Sequence, residues 1–152
     1  MDNLDSVKEK LYSTNASLVV MYENGKCKEY YQNRIKDIKE ILHNDKSALK
    51  GAIIADKVIG KVASSILTVA GVEEIYADVI SKYAIPVLEE NNIKYEYKKL
   101  VDYVQNNDKT GMCPMENKYK EIKDIQRIYD EMINNSWAIN YKNYQVIQLI
   151  VK

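Results

Sequence analysis

Asn24-Gly25, set between the apolar run Ala16-Ser-Leu-Val-Val-Met-Tyr22 and the shorter Cys27-Lys-Glu-Tyr-Tyr31, commits the start of the chain to an antiparallel hairpin. Asn and Gly accept the positive φ that a tight hairpin turn demands, and the flanking β-prone runs supply its strands. Leu4, Val7 and Leu11 recur at helical spacing, so a short amphipathic helix over residues 3 to 13 precedes the hairpin. Downstream, Ile35, Ile38, Ile41 and Leu42 mark a helix that ends in the polar run from His43 to Lys46. A second helix is expected from about Leu49 to Ala70, closed by Gly71 as a C′ glycine.

Val72 to Asp78 reads as a third strand and Ile93 to Tyr97 as a fourth. Between them Val87 to Asn92 is helical, with Pro86 either in its first turn or kinking a longer helix. Residues 102 to 112 are loop, rich in Asn, Asp and Gly. From Pro114 to about Asn134 the set Tyr119, Ile122, Ile125, Tyr129, Met132 and Ile133 predicts one amphipathic helix, and Tyr144 to Val151 predicts a final strand. Helices alternating with strands after an opening hairpin imply a three-layer α/β/α domain whose mixed sheet is at least partly parallel.

Length and composition narrow the class. A chain of 152 residues is about one domain, large enough to bury roughly 70% of its unfolded surface without a disulfide or cofactor. Its 22 basic and 22 acidic side chains balance, so net charge does not steer it toward nucleic acid or an anionic membrane. The aromatic residues are 13 Tyr and one Trp, with no Phe, which gives rings whose polar tips need partners when buried. Only Cys27 and Cys113 are present, far apart, which argues against a disulfide-stapled secreted scaffold. The first residues lack the basic flank and apolar stretch of a signal peptide, and no window approaches the ~20 apolar residues of a membrane span. A soluble cytoplasmic protein is expected.

Two places set polar chemistry against expected packed or tightly turned backbone. On the helix expected through residues 49 to 70, Asp56 falls at the margin of the apolar face beside Ala52, Gly60, Ala63 and Leu67. A carboxylate there is either desolvated, with a raised pKa suited to acid/base work, or an ordinary boundary residue on a closely packed helix. Lys57 lies on the polar face and points away from Asp56.

The second place is Thr110-Gly-Met-Cys113-Pro-Met-Glu116. Pro114 at a first helical position makes Cys113 the N-cap, where the helix dipole favours thiolate, while Gly111 would let the backbone turn tightly against a ligand. Glu116 at the third helical position suits a capping box, bonding back to the N-cap amide. For Cys113 a capping thiol without chemistry and a nucleophile stand side by side. Cys27 reads as a small core hydrophobe, and the lone His43 argues against a histidine zinc site or a Ser/His/Asp triad.

The stretches Leu18-Val-Val20, Gly51 to Ala63, Ile75 to Ser81 and Thr110 to Glu116 resemble an uncharacterised prokaryotic family, domain of unknown function 1893, assigned to the cytidine-deaminase-like superfamily. The resemblance covers roughly residues 17 to 118. It implies a deaminase-like α/β domain over 1–118 and a helix-strand extension over 119–152 packed on the same domain. Catalytic deaminases carry His-x-Glu entering the helix and Pro-Cys-x-x-Cys after the next strand. Here Ile54-Ala-Asp56 and Ala77-Asp-Val-Ile-Ser81 stand in those places, so the ligands for zinc-hydroxide chemistry are missing and no metal or other cofactor is expected.

Three functions follow as expectations. The first is a metal-free pocket formed by Asp56, Lys57, Asp78, Ser81, Gly111, Cys113 and Glu116 that binds a small metabolite. The second is a thiol-dependent enzyme with Cys113 as nucleophile and Asp56 as its acid/base partner. The third is an interaction module in which Trp137 and Tyr141 of the C-terminal extension anchor a sheet edge or a homodimer contact.

Overall fold

A computed structural model describes residues 2–33 and 35–134. The expected strand over Tyr144 to Val151, and Trp137 and Tyr141, lie outside the described residues. The opening is as expected. Helix α1 (Asn3–Ser13) begins where the Asp2 carboxylate accepts from the Asp5 amide, and it buries Leu4, Val7 and Leu11. Strands β1 (Leu18–Met21) and β2 (Cys27–Tyr30) pair antiparallel, with Gly25 at φ 89 in the turn. Helix α2 (Lys36–Asn44) buries Ile38, Ile41 and Leu42.

Residues 49 to 70 do not form one helix. Ile53–Ile59 is strand β3, and only Lys61–Val69 is helical, as α3, with Gly60 as its N-cap. A short run buried on both sides carries no alternation to separate strand from helix. The run Ile53-Ile-Ala-Asp-Lys-Val-Ile59 is of that kind through Asp56, covered from both faces. The end of α3 matches expectation. Gly71 has φ 90, its amide donates to Thr68 O, and Val72 N donates to Leu67 O, the paired bonds of a glycine-closed helix.

Strand β4 (Glu74–Ser81) leads through α4 (Ile85–Glu90), with Pro86 in its first turn, to β5 (Lys94–Val101). The single helix expected from Pro114 to Asn134 is broken into α5 (Pro114–Tyr119), α6 (Ile125–Tyr129) and a π-helical turn over Asp130–Asn134. Asp124 caps α6 by accepting from the amides of Gln126 and Arg127, which starts a new helix inside the old apolar period.

The five strands form one mixed sheet in the order β2-β1-β3-β4-β5, antiparallel at β2-β1-β3 and parallel at β3-β4-β5. This is the α/β class expected. Two apolar cores lie on its two faces. Under α1, Leu4, Val7 and Leu11 meet Val19, Ile53, Ala55 and Tyr76. On the opposite face Leu18, Val20, Ile54, Ile75, Ala77 and Ile80 meet side chains of α2, α3, α4 and the segments after Pro114. Tyr119, Ile128, Tyr129, Met132 and Ile133 belong to this larger core.

The alternation shifts by one residue midway through the parallel strands. Ile75, Ala77 and Ile80 all face the larger core, and the paired positions skip Lys57 with Asp78 and Asp78 with Lys98. Such a shift re-aims every side chain beyond it. Among the described residues, no helix is long and apolar enough to cross a membrane.

Candidate functional site

Asp56 sits in mid β3, in register with Leu18 on one side and Ala77 on the other, and is 6% exposed. The Val58 amide donates to its Oδ1 at 3.4 Å, a long bond beside the shift in alternation. Burial pushes the Asp56 carboxyl up to about 7; the amides of Val58 and Lys57 pull the other way, and the Asp37 charge adds to the rise. Asp37 is itself buried and accepts from the Gln32 amide and side chain at 2.9 and 2.7 Å. The expected desolvated carboxylate is therefore present, but on a strand. Lys57 is exposed on that strand, and its amide donates to Ser17 O.

Cys113 is the N-cap of α5 as expected, half-buried, with its amide donating to Val104 O at 2.7 Å. Among the described residues no hydrogen bond joins it to Asp56. It lies past the end of β5, tied to Val104, whereas Asp56 lies within the sheet beside α2.

Glu116 does not close a capping box. Its Oε1 accepts from the Lys61 amide at 2.6 Å and its Oε2 from the Val104 amide at 2.7 Å. The carboxylate thus sits at the N-terminus of α3, where unpaired amides and the helix dipole favour negative charge, and it ties that helix to the loop after β5. Gly60 leaves the space: a Cβ there would stand 2.5 Å from Val104 Cγ2 and 2.7 Å from Glu116 Oε1. Lys61 is buried alongside, and its ammonium is drawn below the usual lysine range by desolvation.

Gly111 lies in a tight loop, its carbonyl accepting from the Asn106 amide at 2.9 Å, but it has no positive φ and a Cβ on it would meet open space. The left-handed residue of that loop is Lys109, at φ 58. Ser81 is fully buried and its hydroxyl accepts from the Tyr83 amide, a role at the end of β4. Cys27 is half-buried against the smaller core, and burial pushes its thiol up. The His43 ring nitrogen lies 3.0 Å from Ile133 O. Among the described residues, no three His, Cys, Asp or Glu side chains converge as metal ligands would.

A different constellation forms on the α1 face. The Tyr12 hydroxyl donates to Asp78 Oδ1 at 2.5 Å and lies 2.5 Å from the Tyr76 hydroxyl. Tyr12 has one proton to give, so Tyr76 donates to Tyr12 and the three groups form a directed chain. The rings meet edge to face at 6.0 Å. Lys8 Nζ stands 5.0 Å from the Tyr76 ring centroid and Lys98 Nζ 5.6 Å from that of Tyr12. Desolvation and the Asp78 carboxylate push the Tyr12 phenol well above its ordinary range, which keeps it a donor.

Lys8, Tyr12, Tyr76 and Lys98, with Glu96 and Tyr97, line an open depression of about 590 Å³ beyond the C-terminal half of α1. Of the residues singled out from sequence none lines it, and Asp78 touches it only by accepting from the Tyr12 hydroxyl. The missed ones left short-range signals: Lys8 and Tyr12 at i, i+4 on a helix, and Tyr76 with Asp78 and Glu96 with Lys98 at i, i+2 on strands. Their convergence depends on α1 lying over a sheet in which β4 neighbours β5.

The fold and this surface define a mixed α/β domain with a tyrosine- and lysine-lined depression on the face that, among the described residues, α1 alone covers. Over residues 6–135 the chain matches the family model described as a domain of unknown function, DUF1893, and it belongs to that family. A solved relative is the crystal structure of a DUF1893 family protein (TM1506) from Thermotoga maritima. The two share 27% sequence identity at a TM-score of 0.76, over 86% of this chain and 89% of that one. A comparison with curated proteins gives no match.

Proposed function

We propose that this chain binds a small, planar, anionic metabolite in the depression between α1, β4 and β5, on a cytidine-deaminase-like fold that does not use zinc. The carrying observation is the set of Lys8, Tyr12, Tyr76 and Lys98 around one open volume: two ammonium groups for an anionic group and the exposed Tyr12 ring, backed by the buried Tyr76, for a planar one. Glu96 on the rim offers an acceptor for a ligand N–H. Its size is within the range of small-molecule sites.

The zinc positions also need to be read at new residues. Because α3 starts at Lys61, its entrance is Gly60-Lys61-Val62-Ala63, and α4 is entered through Ser81-Lys82-Tyr83-Ala84. Neither carries the His, Glu or Cys that zinc chemistry of that superfamily requires. A thiol-dependent reaction between Cys113 and Asp56 has no hydrogen bond between the two groups to support it among the described residues.

Titration calorimetry with nucleoside monophosphates and aromatic carboxylates tests the reading. Saturable binding is expected for at least one of them, weakened tenfold or more by Tyr12→Ala and by Lys98→Ala, and unaffected by Cys113→Ser. No saturable binding up to millimolar probe, or binding that survives both substitutions, would overturn it.

A further inference from the structure

We propose that β5 is a self-pairing edge, through which two copies of this chain join into one continuous ten-stranded antiparallel-centred sheet. The strand is eight residues long and, among the described residues, has a neighbour, β4, on one side only. A free edge of that length is a template for another strand unless the protein blunts it.

The side chains on the strand are arranged to suit a second copy of itself. Tyr95, Tyr97 and Leu100 lie in register with Ile75, Ala77 and Ile80, the three β4 residues of the larger core, so all three share that face. Tyr95 packs against the core, and Tyr97 stacks on it at 6.4 Å with an interplanar angle of 14°. Tyr97 and Leu100 nevertheless remain 42% and 49% exposed, an apolar stripe continuing past the edge of the core. Because Tyr97 and Leu100 share a face three residues apart, the shift in alternation leaves Lys98 and Lys99 together on the α1 side, with Glu96.

Place a twofold axis normal to the sheet through Tyr97. An antiparallel copy then sets Tyr97 against Tyr97 and Tyr95 against Leu100 on the core face. On the α1 face it sets Glu96 against the Lys98 and Lys99 pair, two residues opposite one, as a bulge requires. The pairs Tyr97 with Tyr97, Tyr95 with Leu100, and Glu96 with Lys98 and Lys99 are aromatic, apolar or of opposite charge, and at the strand ends Lys94 meets Val101. The register one residue further along would put Lys98 on the axis against itself, and like charges directly opposite destabilise. The charge complementarity fits a second copy of the chain, and because Glu96, Tyr97 and Lys98 also line the ligand depression, Lys99, which does not, is the substitution that separates the two readings.

Sedimentation equilibrium on the full chain reads the dimer directly. A concentration-dependent dimer is expected; Glu96→Lys alone and Lys99→Glu alone each weaken it tenfold or more, and the two together restore it, because the charges are then exchanged across the axis. As a second measurement, Tyr97→Cys in a Cys27→Ser, Cys113→Ser background forms an intermolecular disulfide on mild oxidation, whereas Tyr31→Cys in that background does not. A monomer at all attainable concentrations overturns the proposal, as does a dimer indifferent to the charge exchange or without the Tyr97→Cys crosslink. A monomer with slowly exchanging outward β5 amides also overturns it, and assigns the edge to the Tyr144–Val151 segment of the same chain.

Discussion

At the scale of single residues, two buried carboxylates take opposite parts. Asp56 is held by one long amide bond in a buried setting, which favours its neutral form. An unfolded aspartate titrates near 4. Between about pH 4 and about pH 7 the folded chain therefore keeps a proton that the unfolded chain releases. Its contribution to stability falls as pH rises through that window and is level above it. Asp56→Asn should then be more stable than the parent by roughly 2–4 kcal/mol at pH 8 and by little near pH 4, compared in urea titrations. Glu116, by contrast, is matched to two amide donors. Glu116→Ala leaves both unanswered, and about 2–4 kcal/mol of stability should be lost at neutral pH, with Glu116→Gln losing less because one acceptor remains. Both carboxylates stood out in the sequence, and burial was foreseeable for Asp56. The Glu116 partners were not, since Lys61 lies 55 residues away and only the closed fold brings it near.

At the scale of elements, what was legible depended on whether the decisive interactions were local. The α1 helix, the Asn24-Gly25 hairpin and the Gly71 helix end are fixed by neighbours within a few residues and each formed where expected, while Pro86 took the first-turn place, one of the two open to it. Strand β3 was not legible. Its first three residues divide between two different cores and the fourth, Asp56, is buried too, and that double burial erases the pattern that distinguishes strand from helix. The misreading moved Asp56 from a helix to a strand and with it the whole expected pocket. Helix α1 carries a prediction at this scale. It alone covers its face of the sheet in the described residues, so Leu11, 1% exposed, has no second layer to collapse onto the space it leaves. Leu11→Ala should cost about 2–5 kcal/mol in chemical denaturation, and it should also weaken any ligand held beside Tyr12.

For the whole molecule, the sheet order decides which regions are secure and which are available. Neither the order β2-β1-β3-β4-β5 nor the shift shared by β4 and β5 can be read from local pattern, because both are set by pairings between distant segments. β3 is bonded on both edges and covered on both faces, while β2 and β5 each leave one edge unpaired within the described chain. Local opening follows the number of interactions that must break together. Amide exchange should thus be slowest in Ile53 to Asp56 and in the parts of β1 and β4 beside them. It should be faster in β2, and fastest in the loop over 102–112. In β5 the amides facing β4 should be slow at any protein concentration. Those facing outward should slow only as concentration rises, if a second copy takes the edge. A single exchange series at two concentrations therefore separates stability that belongs to the fold from protection that belongs to association, because mass action changes only the second.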